Sequence, residues 1–187
     1  MRFDEFTEKH GLVVSPVNRF AGFLVEVGAP KGWEPFDSAP GVRVWACRDD
    51  PCIDVFCANA VLTMHRVKAP LDPAEVFTML SEQQLQSAPG CHEVRRELGP
   101  AGESGGIQGL LAMQITHELG AIDSASESRI ITAGQETLIA QLTVTALHDS
   151  PVDRAHIRLT VRPGAAAGPA PAGYRGVVPV ITTREGD

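Results

Sequence analysis

Positive charge never gathers in this sequence. Lysine is scarce, three against thirteen arginines, and the sixteen basic residues form no cluster. At a formal net charge of −7, no Lys/Arg cluster is available to neutralise a run of phosphates, which argues against a nucleic-acid partner. The 23 acidic residues are dispersed as well, so the excess reports solubility rather than an acidic patch. Long apolar runs are missing too: no stretch approaches the ~20 residues of a membrane-spanning helix. The N-terminus, Met1-Arg2-Phe3-Asp4-Glu5-Phe6, carries charge where a secretory signal needs an apolar core, and no Leu-rich run leads to a lipidated cysteine. The expectation is a soluble, cytoplasmic protein without a transmembrane segment.

Diagnostic catalytic and metal spacings are absent. Cys91-His92 and His117-Glu118 are adjacent pairs, which a strand points to opposite faces. Cys47, Cys52 and Cys57 stand five apart, wider than the Cys-x(2–4)-Cys pairs of structural zinc. Ser104-Gly105-Gly106 lacks the Gly-x-Ser-x-Gly elbow, and Gly102 to Gly109 lacks the Gly-Lys-Ser/Thr ending of a phosphate loop. The sequence therefore predicts no catalytic residue, no metal and no cofactor. His65 on a central strand could approach Cys47 or Cys57 on a neighbour, and a plain sheet-surface histidine is the simpler reading. Without an export signal the four cysteines are expected reduced. A Cys47–Cys52 bridge across Arg48-Asp49-Asp50-Pro51 is geometrically accessible in an oxidising compartment.

What is present is enough for one core: 187 residues, 43% hydrophobic, without internal repeat. Residues 1–20 read as an N-terminal extension. Phe23–Val27 reads as a first strand closed by Gly28-Ala29-Pro30, Gly32-Trp33-Glu34-Pro35 as a turn, and Val42–Cys47 as a second strand. Ile53–Val67 is extended, most clearly over Val61–Val67. Asp72 at the N-cap, Pro73 at N1 and Glu75 at N3 open a helix carrying an apolar stripe of Val76, Phe77, Leu80 and Leu85, and Pro89-Gly90 ends it. Strands are expected at Cys91–Leu98, Gly109–Glu118 and Arg129–Thr132, the last two separated by a polar Asp/Ser loop. In Thr137–Leu147 the alternation places Leu138, Ala140, Leu142, Val144 and Ala146 on the drier face. Ser150–His156 reads as a short last helix, and 164–187 as a Gly/Ala/Pro-rich arm. This succession predicts an α+β fold with an antiparallel sheet of about six strands and helices against it.

Four landmarks carry a resemblance: Gly32-Trp33, Asn59-Ala60-Val61, the helix from Asp72-Pro73 to Pro89-Gly90, and Gln141-Leu142-Thr143-Val144-Thr145. In order and spacing over residues 22–162 they resemble the actinobacterial LpqN/LpqT lipoprotein family. The resemblance implies a Mog1/PsbP-like domain over 21–163, a sheet sandwiched between helices. It also implies a binding or adaptor role without catalysis, through a protein partner or an apolar, lipid-like ligand. The expected departures from that family are the leader and lipidated cysteine, which the sequence as read does not show, an abbreviated last helix and the added arm.

The expected ligand pocket lies between the helix and the sheet face carrying Leu62, Met64, Leu142 and Val144, with Phe77 on the helix and Trp33 as a stacking platform. Tyr174, Val177, Val178, Val180 and Ile181 make the arm apolar enough to dock on a partner by strand addition. A monomer or weak dimer is expected, with arm-mediated assembly as the route to anything larger. The alternatives are a hydrolytic enzyme with a Cys/His or Ser/His pair, and a structural subunit held by its arm.

Overall fold

Alternation sets the architecture. The computed structural model describes residues 1–102 and 105–164, which form helices α1 (Phe3–Lys9) and α2 (Pro73–Ser87) and ten strands. The strands are β1 (Val14–Pro16), β2 (Phe23–Gly28), β3 (Trp33–Ala39), β4 (Val42–Cys47), β5 (Asn59–Val67), β6 (Cys91–Pro100), β7 (Ile107–His117), β8 (Gly120–Ala133), β9 (Glu136–Leu147) and β10 (Arg158–Pro163). Eight of them build one antiparallel sheet in the order β3-β4-β5-β9-β8-β7-β6, with β1 also pairing to β5. The remaining two, β2 and β10, form a separate antiparallel ribbon. The α+β class with an antiparallel sheet is as expected.

The two faces of the sheet are covered differently. Even-numbered residues of β5 and β9 (Ala60, Leu62, Met64, Leu138, Ala140, Leu142) share one face by register and are buried. The ribbon covers them with Val25, Val27, Leu159 and Val161, which its own register places on one side. Odd-numbered residues face the helices: Val67 and Ile139 pack with Ile130, Phe3, Val76 and Phe77 in a second cluster. Residues 1–20, read as an extension, contribute to this cluster. Phe3 is buried, Phe6, Leu12 and Val14 pack beside it, and Asp4 N donates to Gln83 Oε1 at 2.9 Å.

Helix α2 begins where the sequence indicates, with Glu75 N donating to Asp72 Oδ1 at 2.9 Å and Pro73 in the first turn. The helix lies on β6, β7 and β8. Gly109, in the middle of β7, permits the approach: a Cβ there would come within 2.3 Å of Phe77 Cε2. Gly41, at φ +73°, likewise lets the β3–β4 turn close against β1, since a Cβ would meet Pro16 Cβ at 2.7 Å and Met64 O at 2.8 Å.

Four local expectations change. Ile53–Val67 is extended only from Asn59, because Val55 N and Phe56 N both donate to Cys52 O at 2.9 Å and fold the start of the segment into a turn. Trp33 opens edge strand β3 instead of sitting in a turn, and the register shifts between Pro35 and Asp37. An edge strand tolerates the proline that a central one would not. The supposed polar loop before Arg129 is strand β8, in which Ser124, Ser126 and Ser128 are buried where apolar residues would normally mark the alternation. Ser150–His156 forms turns rather than a helix, because Asp153 Oδ1 accepts from Ala155 N at 3.1 Å and His156 N at 3.3 Å.

Candidate functional site

The ribbon covers only part of its face of the sheet. Strand β10 lies against β8 and β9, so β7 and the edge strand β6 continue beyond its cover. The result is an open trough of about 1340 Å³. Its apolar lining is dictated by register: Ala112 pairs with Ala125 and Ala125 with Val144, while Leu110 and Leu142 flank Glu127 one step along. The two alanines keep the trough deep, because a larger side chain at either position would project into it. Val152 and Ile157, from the segment joining β9 to β10, form the wall opposite β6.

That wall is tied to the sheet by polar contacts sequence reasoning missed. Asp123 Oδ1 accepts from Gln114 Nε2 at 3.0 Å. Asp123 Oδ2 lies 3.0 Å from both His148 Nδ1 and Arg154 Nη1. Burial pushes the Asp123 carboxyl up, but the bonds from Gln114, His148 and Arg154 outweigh it and hold the carboxyl below its ordinary range. Behind the wall, the buried Asp50 accepts from Ser150 Oγ and Cys52 N at 2.9 Å and from Ala58 N at 3.2 Å. The only signal for these roles in the sequence was the parity of β8, and the serines concealed it.

The expected pocket residues divide. Leu142 and Val144 do line the trough. Leu62, Met64 and Trp33 belong to the same core but are buried at 0%, 2% and 7% exposure. Phe77 stands on the opposite face, with its ring over Gly109. A pocket between α2 and the face carrying Leu62 and Leu142 therefore does not form, since α2 packs on the other side. The physical reason lies in β8. Its small serines admit the helix and bond to it, Gln84 Nε2 donating to Ser126 Oγ at 2.9 Å and Ser126 Oγ meeting Thr143 Oγ1 at 2.8 Å. The drier face is left to the apolar ribbon. The arm residues Tyr174, Val177, Val178, Val180 and Ile181 lie outside the described residues.

A smaller hollow of about 370 Å³, lined by Phe36, Val44, Ile53 and Cys57, lies near the β3 edge. All four cysteines are free, and burial, chiefly, raises the Cys47 thiol. Among the described residues no histidine side chain hydrogen-bonds a serine or cysteine. His148 contacts Asp123 and Gln114, and His156 contacts Asp153. Nor do the described residues bring together three metal-ligating side chains, and none of their helices is long and apolar enough to cross a membrane.

Compared with protein-family models and with curated protein sequences, the chain matches none. Among solved structures it is similar to LpqN of Mycobacterium tuberculosis, described as involved in cell envelope biogenesis. The TM-score is 0.66 at 14% identity, over 80% of this chain and 87% of that one. At that identity the likeness is one of architecture: the chain has an LpqN-like α+β fold.

Proposed function

We propose that this protein is a non-catalytic binding protein that holds an apolar or lipid-like ligand in the trough between β6 and the β9–β10 connection. The observation that carries the reading is the trough itself: about 1340 Å³, with apolar floor residues Leu110, Ala112, Ala125, Leu142 and Val144 interspersed with charged ones, Glu127 among them. That volume exceeds the ~300–1,000 Å³ of ordinary small-ligand pockets and leaves room for an extended chain. LpqN, the structural neighbour, is described as involved in cell envelope biogenesis. A comparable role here would place this protein among amphipathic molecules.

Magnitudes limit what a bare chain achieves. About ten buried methylenes contribute about 8 kcal/mol at ~0.8 kcal/mol each. Association costs about 4 kcal/mol or more, so the tail alone supports roughly millimolar binding. Polar contacts must supply the rest.

The test is a fluorescence titration with a dansyl-tagged undecanoyl chain. Wild type is expected to saturate. Ala125→Trp, which fills the trough from a half-buried position, is expected to keep its melting temperature and weaken binding about tenfold or more. Equal binding by the two proteins contradicts the reading.

A further inference from the structure

The trough is electrically asymmetric along its length. At one end Asp123 is saturated by Gln114, His148 and Arg154, and the carboxylate neutralises the Arg154 guanidinium. Six residues along the same face of β8, about 20 Å away, stands Arg129. Gln108 is its partner across the β7–β8 ladder, and both line the trough.

Arg129 is under-satisfied. Its guanidinium has five N–H donors and makes two long contacts, to Ser128 O at 3.4 Å and Leu159 O at 3.5 Å. Among the described residues no carboxylate approaches it within 4.0 Å. Glu127, two positions away on the same face, is already engaged, accepting from Arg158 Nη1 at 3.1 Å and Leu159 N at 3.0 Å. Burial pulls the Arg129 pKa below the usual guanidinium range, with the Glu127 charge acting the other way. A half-buried cation with no ion-pair partner in direct contact is costly, and an incoming anion lowers that cost. The trough as a whole carries five arginines against four carboxylates, in a chain whose net charge is −7.

We propose that Arg129, with Gln108 beside it, is the head-group anchor for an anionic single-chain amphiphile. One terminal carboxylate or phosphate accepts the paired N–H groups of Arg129, and the chain runs over Leu110, Ala112 and Ala125 towards the Asp123 end. The planar guanidinium matches two acceptor oxygens at once, which a lysine ammonium would not. The opposite orientation is disfavoured, because Arg154 there is already paired with the Asp123 carboxylate at 3.0 Å. This assignment rests on the trough being the ligand site.

The test compares dodecanoate, dodecyl phosphate and dodecanol as competitors of the dansyl probe on wild type, Arg129→Gln and Arg129→Lys, with thermal unfolding of each protein. Wild type is expected to bind at least one anion about tenfold or more tighter than dodecanol. Whichever anion binds tighter names the head group. Arg129→Gln is expected to bind all three alike while keeping its dodecanol affinity, and Arg129→Lys to recover part of the preference. Dodecanol binding wild type as tightly as both anions overturns the anchor and leaves the trough reading standing. So does a preference that survives in Arg129→Gln. If none of the three displaces the probe from wild type, both readings fall. The wild-type comparison decides the matter even if a variant does not fold.

Discussion

Parity along β8 determines which side chains meet a ligand. Asp123, Ala125, Glu127 and Arg129 are half-buried on the trough face, while Ser124, Ser126 and Ser128 are buried beneath α2. None of this was legible in the sequence, because the usual cue to a strand is an apolar residue at every second position, and here serine takes that place. His65 illustrates the same limit. A sheet histidine was foreseeable, but not that burial would lower its pKa. The unfolded chain therefore takes up a proton before the folded one does. His65 contributes stability that is complete above the ordinary histidine value of ~6.5 and is lost as pH falls through it towards the lower folded value. Denaturant unfolding at a series of pH values should show this loss in wild type and a flatter profile in His65→Gln. Identical profiles contradict it. Gly109→Ala should cost about 1–3 kcal/mol, because the new Cβ overlaps the Phe77 ring, itself 2% exposed. A neutral Gly109→Ala in equilibrium unfolding shows that α2 does not seat as described.

Among the elements, α2 was the most legible. Its start at Asp72-Pro73 and its stop before Pro89-Gly90 are local chemistry, written in consecutive residues. The face of the sheet it would cover was not. Alternation in β9 separates a drier side from a wetter one, and the drier side was the natural partner for an amphipathic helix. A helix carrying Ser81 and Gln84 packs instead against hydroxyls, while the ribbon takes the drier side with four aliphatic residues. That choice depends on a pairing between β2 and β10, more than a hundred residues apart, which no local pattern encodes. The trough wall depends on a contact of the same range. Asp50 holds the start of the β9–β10 connection through Ser150 and fixes the turn after β4 through Cys52 and Ala58. Asp50→Ala strands these donors and should cost about 3 kcal/mol. It should also raise hydrogen exchange in 148–157, and unchanged protection there contradicts the role given to Asp50.

For the molecule as a whole, the helices cover one face and the ribbon reaches only β8 and β9 on the other, so a sheet this wide leaves floor exposed. The class of fold was readable from composition, strand spacing and four landmarks. The trough was not, because it arises where cover stops rather than where any motif lies. Only Leu142 and Val144 of the expected pocket residues border it. The central claim is that this floor is where the ligand lies. Backbone amide shifts in an NMR titration of the full chain with dodecanoate test it most directly. The account predicts saturable shifts concentrated at Gln108–Gln114, Asp123–Arg129 and 148–158. Shifts confined to α2 and the β3 edge, or none at all, would contradict it.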